Sequence, residues 1–288
     1  MPRAVMAALL TQTLISAGTF LAAKRAMEEL PPFTLVLWRF LVASPTYALL
    51  LLAMRGGVLP PKGARGKVLL LGLLAGPVNQ GLFFHGLSLS SAAHGALLYA
   101  TTPLVVYVLS VARGRERAST RALLGIVTAF AGVVVLLLGG GLAQARGSLV
   151  GDLFILAAVT AWALYTTEAK AFSVAHGAVR TTGWSMVAAG LLLVPAMPLA
   201  LRPSQALAAS AVTWGCIVFL GLLTSFVAYL LWNYALSRAE ASRVAVFSNL
   251  QPPFTALAAW AVLGEPLRWE MAVGGALVLA GVRMTQRA

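Results

Sequence analysis

Gln12, Asn79, Trp162 and Gln251 each interrupt a long apolar stretch. Counted along helices at about 1.5 Å per residue, the four lie at one depth. A polar side chain in hydrocarbon is stable only when it faces protein or a wet cavity, so helical spacing reveals which faces look inward. The stripes are Gln12, Ser16 and Thr19; Gly72, Gly76, Asn79 and Phe83; Tyr99 and Thr102; Trp162 and Tyr165; Ser225, Tyr229 and Trp232; and Ser248, Gln251 and Thr255. Amides, hydroxyls and aromatics of this kind hydrogen-bond and enclose a ligand without transforming it. They suit a small zwitterion with an apolar side chain. The expected substrate-binding residues are Gln12, Asn79, Phe83, Tyr99, Trp162, Tyr165, Tyr229, Ser248 and Gln251. Small residues in such stripes also let helices approach closely, and packing is the competing role for Ser16, Gly72, Gly76 and Ser225.

Two prolines extend this expectation. A proline inside a helix leaves the carbonyl four residues earlier without its donor, so Pro103 releases Tyr99 and Pro252 releases Ser248. As hinges, they offer two acceptors to a substrate ammonium while the Asn79 and Gln251 amides serve its carboxylate. The alternative is that water or a Ser/Thr hydroxyl satisfies those carbonyls.

Charges inside the apolar stretches are few. Arg39 lies eight residues into the second one, where a central charge costs ~2.5 to 3.5 kcal/mol on insertion scales. It must pair or reach water, as a structural anchor or as a substrate contact. Glu168 sits near Lys170 and is expected to snorkel, and His85 and His94 read as surface residues. There is no HExxH and no paired mid-span acid, and Gly86-Leu87-Ser88-Leu89-Ser90 lacks the closing glycine of GxSxG. An enzyme is therefore not expected. The lone Cys216 allows neither an intrachain disulfide nor a metal site, and no cofactor is expected.

The elements that position these residues follow from composition. With 60% hydrophobic and 10% charged residues over 288 positions, the chain reads as an all-α membrane protein. Ten stretches have spanning length: 4–23, 31–54, 67–87, 91–112, 120–140, 149–172, 180–201, 211–236, 241–263 and 269–286. The first is too long for a secretory h-region and reads as a retained helix. The net charge of +13 invites a nucleic-acid partner, but the basic residues are strung along short loops. With the N-terminus inside, fifteen lie on the cytoplasmic side and five outside, with Arg39 within a span. Charge thus reports topology, both termini are cytoplasmic, and no nucleic acid is bound.

The chain also repeats itself, without gaps, at an offset of 149 residues. Leu71-Gly72-Leu73-Leu74 recurs as Leu220-Gly221-Leu222-Leu223, Pro103 as Pro252, Glu116 as Glu265, Gly125 as Gly274, and Ala131-Gly132-Val133 as Ala280-Gly281-Val282. Between 71 and 133 there are 17 identities in 63 positions. Two units, 1–140 and 149–288, would each hold five spans. An odd number forces them upside down relative to each other, giving ten transmembrane helices in two inverted five-helix repeats with the site between them.

Pro31-Pro32 ahead of Trp38-Arg39-Phe40, Trp162-Ala163-Leu164-Tyr165, and Leu250-Gln251-Pro252-Pro253 followed by Leu263-Gly264-Glu265-Pro266 carry a resemblance. Together with the doubled array they resemble the drug/metabolite transporter superfamily in its ten-span EamA-type branch, over nearly the whole chain. Within it the chain looks most like exporters of aromatic and neutral amino acids of the YddG type. Gln12 stands where the small multidrug branch has a membrane-embedded Glu, which argues against proton-for-cation exchange there. The resemblance implies a multi-pass protein of the bacterial inner membrane that exports amino acids by alternating access. Its partners are a small-molecule substrate and membrane lipids, in a monomer or weak homo-oligomer. A carrier or flippase of a nucleotide-sugar, phosphate ester or lipid would want more basic residues in the cavity. A cysteine placed at Gly63 should react with an impermeant reagent only from the cytoplasmic side, and labelling from outside intact cells would contradict the topology.

Overall fold

The computed structural model describes residues 1–54, 59–90, 92–139, 149–254, 257 and 269–288, and every regular element among them is helical. In chain order these are α1 (Arg3–Met27), α2 (Pro32–Ala53), α3 (Lys62–Leu89) and α4, broken into Ala92–Tyr99 and Thr102–Ala112. Next come α5 (Thr120–Gly139), α6 (Leu149–His176), α7 (Ala178–Ala200) and α8 (Ala211–Leu236). Last are α9 (Ala241–Ala245, continuing as a 3-10 turn over Val246–Leu250) and α10 (Trp269–Gln286). Six of them, α1, α2, α3, α6, α7 and α8, are long and apolar enough to cross a membrane. Leu97–Ala112 and Thr120–Val135 are shorter apolar helices. Thr255, Trp260, the Leu263-Gly264-Glu265-Pro266 turn and the boundary between the repeat units lie outside the described residues.

Local signals set the ends. Pro32 opens α2 at its first turn, where a missing N–H is harmless. Gly177, at φ +83°, reverses the chain between α6 and α7 in a conformation costly for any residue with a Cβ. Ser210 caps α8 by accepting from the Thr213 N–H at 3.2 Å. The carboxylate of Glu29, in the α1–α2 connection, accepts from the Ser210 backbone N–H at 2.7 Å and its hydroxyl at 2.8 Å. Those two bonds hold the Glu29 pKa down to about 2.

Helices pack through small residues, so the backbones nearly touch. A Cβ on Gly125 would lie 2.4 Å from Thr285 Oγ1, one on Gly132 2.6 Å from the Gly274 carbonyl, and one on Gly281 2.4 Å from the Gly125 carbonyl. As α5 advances, its contacts on α10 recede, so the two run antiparallel. The same holds for α2 and α7: Thr34 bonds Ala200, Ser44 meets Gly190 and Leu51 meets Gly183. Gly72 and Gly76 of α3 rest on Ala188 and Ala189 of α7, and Gly221 of α8 rests on Val42 of α2. Packing is thus the role of both α3 glycines. The main contacts join first-half to second-half elements: α1 with α8, α2 with α7, α3 with α6 and α7, α4 with α6, and α5 with α10.

Two half-buried lysines, 146 residues apart, tether pairs of carbonyls that obey the 149-residue offset. Lys24 of α1 donates to the carbonyls of Leu87 and Ser90 at 2.8 and 2.9 Å, at the end of α3. Lys170 of α6 donates to those of Leu236 and Ala239 at 3.2 and 2.5 Å, at the end of α8. Each satisfies carbonyls that a helix C-terminus leaves open. Leu236 and Ala239 are the offset partners of Leu87 and Ser90.

Gly281→Leu should force α5 and α10 apart and cost about 1–3 kcal/mol as an overpacked contact. Gly275→Leu, on the same helix with nothing within 4 Å of its Cβ, should leave the melting temperature in detergent unchanged. Equal melting temperatures for the two variants would contradict this packing.

Candidate functional site

The site begins with a defect in α3. Pro77 cannot donate, and the helix widens to π geometry over Leu74–Val78. The Asn79 N–H therefore bonds the Leu74 carbonyl, five residues back, as well as that of Gly76. Ala75 keeps an open carbonyl, which accepts the Tyr229 hydroxyl at 3.2 Å. In α8 a second π stretch, Phe219–Ala228, spans the offset partners of Leu74–Val78. There Ser225 Oγ donates to the Leu220 carbonyl five residues back, at 2.9 Å. The α8 stretch meets Arg39 through Ser225, and the α3 stretch leads directly into Gln80, which Arg39 also binds.

Arg39, only 1% exposed, donates through Nε to Ser225 Oγ and through Nη1 to Gln80 Oε1, both at 2.5 Å. Its guanidinium lies 5.7 Å from the Phe84 ring centroid. The Gln80 amide donates to Asn79 Oδ1 and, at 3.2 Å, to the Tyr229 hydroxyl. Asn79 in turn donates to the Tyr99 hydroxyl and the Ala158 carbonyl, both at 2.8 Å. One network therefore ties α2, α3, α4, α6 and α8 together. Every acceptor around the guanidinium is neutral.

This network lines one side of a cavity of about 80 Å³ between the halves, room for several waters. Aromatic rings form the rest. Phe20, Phe83 and Tyr99 meet edge to face, with centroids 5.0 to 6.4 Å apart. Trp162 packs on Tyr229 at 5.1 Å and Trp232 at 5.5 Å. Thr19 and Thr224 are hydrogen-bonded at 3.2 Å across the cavity wall.

Of the residues expected from the sequence, Gln12, Asn79, Phe83, Tyr99, Trp162, Tyr229, Ser248 and Gln251 all line this cavity. Tyr165 does not. It lies behind Trp162, stacked at 5.2 Å, with its hydroxyl accepting from Asn233 at 2.7 Å, and so supports the wall.

Three further expectations are corrected. The Tyr99 carbonyl already accepts the Thr102 hydroxyl at 2.6 Å, and the Ser248 carbonyl accepts the Gln251 N–H. Pro103 and Pro252 do sit at breaks in their helices, but the acceptors they release are used locally, a short hydroxyl or a 3-10 turn being nearer than any ligand. Asn79 is fully buried with its amide engaged, so it holds the network rather than offering a free donor. Glu168 does not snorkel beside Lys170. It binds Lys67, Arg113 at 2.6 Å and Arg115 at 2.8 Å, because α3 and the α4–α5 connection bring three cations to one carboxylate.

Gln80 joins the site beyond the polar stripes, and its signal in the sequence is that it lies one offset from Tyr229, the hydroxyl it bonds. Arg39 was legible as a charge needing a partner, but its partners are 41 and 186 residues away. Serine 225, read as packing, is one of them.

Comparison with known proteins bears on the whole chain. The profile described as the EamA-like transporter family matches twice, over residues 3–138 and 149–286. A protein of Archaeoglobus fulgidus described as an uncharacterized transporter is 30% identical over 284 residues, covering 94% of this chain and 93% of its own. A probable terminal-alkyne amino-acid exporter of Streptantibioticus cattleyicolor is 28% identical over 198 residues, 68% of this chain and 64% of its own. A solved crystal structure shares the fold, with a TM-score of 0.77 at 21% identity over 97% of this chain and 98% of that one.

Asn79→Ala should lower both melting temperature and solute flux, because it leaves the Tyr99 hydroxyl and the Ala158 carbonyl without their donor and removes one of the bonds that hold Gln80, at a cost of about 1–3 kcal/mol. Gln251→Ala, half-buried at the cavity, should lower flux with little change in melting temperature. The two variants measured side by side separate a network residue from a lining one, and identical behaviour would contradict the assignment.

Proposed function

Because the chain belongs to the EamA-like transporter family, we propose that it exports amino acids, neutral and aromatic ones foremost, by alternating access through the central cavity. The observation that carries this reading is the cavity itself, set between the two halves and lined by aromatic rings, neutral hydrogen-bonding groups and a single cation. A membrane enzyme would need a nucleophile with its base or paired acids, and the described lining residues include neither. The similarity to a probable terminal-alkyne amino-acid exporter supports the choice of cargo.

The proposed architecture is ten spans in two inverted repeats, 1–140 and 149–288, in a bacterial inner membrane with both termini cytoplasmic. Three observations support it: the family profile matches each half, partner helices α2 with α7 and α5 with α10 run antiparallel, and the carbonyls held by the two lysine tethers, Leu87 and Ser90 against Leu236 and Ala239, obey the repeat offset. With inverted halves, rocking one against the other opens the same cavity to either side in turn.

Among the described residues no carboxylate lines the cavity, and Glu168 is tied to three cations. A proton-binding acid of the kind pumps hold in the membrane is therefore missing from the lining, which favours uniport or exchange. In proteoliposomes, a neutral aromatic amino acid should move down its own gradient in both directions, and an imposed pH gradient should change the rate little. Uphill accumulation driven by a pH gradient alone would overturn the coupling, and no flux of any amino acid would overturn the function.

A further inference from the structure

We propose that the cavity is built around a carboxylate, with Arg39 as its docking cation and the Trp232 indole N–H as a second donor. The carrier would then select monocarboxylates with an apolar body, whether or not they carry an amino group. This deepens the transport reading above and rests on it for the direction of movement, though not for binding.

The argument is a count of donors and charges. A guanidinium has five N–H donors, and Arg39 places only two of its bonds on protein, with Ser225 Oγ and Gln80 Oε1. Among the described residues no carboxylate forms an ion pair with it, and no Asp or Glu lines the cavity. Trp232 is 1% exposed, and its Nε1–H has no partner among the described residues. Both side chains line the cavity, which therefore holds a fixed positive charge and surplus donors with no anion to meet them. A buried charge without a counter-ion is costly, and a ligand that brings the opposite charge with acceptor oxygens removes that cost. The planar fork of arginine matches the two oxygens of a carboxylate. A phosphate dianion would call for further cations, and the lining supplies none. Nothing comparable awaits an ammonium: Gln12, Ser248 and Gln251 offer only neutral oxygens. The faces of Trp162, Tyr229 and Phe83 take the apolar part of the ligand. The carboxylate is thus the group recognised and the amino group is dispensable.

The test compares four ligands on the purified wild-type protein by thermal unfolding in detergent: phenylalanine, 3-phenylpropanoate, 3-phenylpropanamide and 2-phenylethylamine. The two acids should raise the melting temperature at concentrations at least tenfold below those the amide or the amine requires. Equal effects of acid and amide, or no effect of either acid, would overturn the proposal. Arg39→Lys keeps the charge and loses the fork, and should weaken 3-phenylpropanoate at least tenfold; native affinity in that variant would also overturn it. If the variant fails to fold, the wild-type ligand series decides alone. Proteoliposome flux separates the two readings. Acids that bind but never cross would leave the carboxylate site standing and remove the transport function. Phenylalanine and its amide crossing at equal rates would do the reverse.

Discussion

A guanidinium cannot be neutralised at physiological pH, so a bundle that encloses Arg39 at 1% exposure must be arranged around it. The protein answers with neutral oxygens alone: a serine from α8 and a glutamine from α3, each held by a further partner. Gln80 is fixed by Asn79 and Tyr229, and Asn79 by Tyr99 and Ala158. Five helices from both halves are thereby brought to one point. The positive charge stays without an acidic partner among the described residues, at the edge of the cavity between the halves.

That network depends on two irregular helices. Regular α geometry would give the Ala75 carbonyl to the Asn79 N–H and leave nothing for Tyr229. Pro77 and the π turn that accommodates it displace the bond by one residue, and the hydroxyl takes the vacated acceptor. The offset partner of this turn in α8 is widened as well, although Phe226 stands where α3 has Pro77, and Ser225 there bonds five residues back. Gly72 and Gly76 let α3 pack closely on α7, and Gly221 lets α8 pack closely on α2, next to Arg39.

The ends of the bundle are held by ionic groups, and the middle is not. Glu168 gathers Lys67, Arg113 and Arg115 at one end, and Glu29 joins the cap of α8 at the other. Each contact links a first-half element to a second-half one. Alternating access as proposed requires one set to part while the other holds, and both are closed here. Half-exposed ion pairs are weak enough to exchange for water, whereas the lysine tethers on helix C-termini involve dehydrated carbonyls and keep α1 with α3 and α6 with α8 as units.

Helical spans, polar stripes and the 149-residue repeat were determined by the sequence alone, because hydrophobic length, helical period and self-similarity are one-dimensional properties. Hence eight of nine expected lining residues reach the cavity: each is a polar or aromatic residue on an inward stripe, and the stripe is set by its own helix. Tyr165 shared that stripe and fell behind Trp162, since one helical turn separates lining from support only after neighbouring helices are in place. What each polar group bonds was decided by tertiary structure. The freed Tyr99 carbonyl went to Thr102, Glu168 went to three distant cations instead of neighbouring Lys170, and Arg39 found Ser225 and Gln80. Hydrogen bonds and ion pairs act over about 3 Å, and which groups come that close follows from how helices cross, a property that spacing along the chain does not carry.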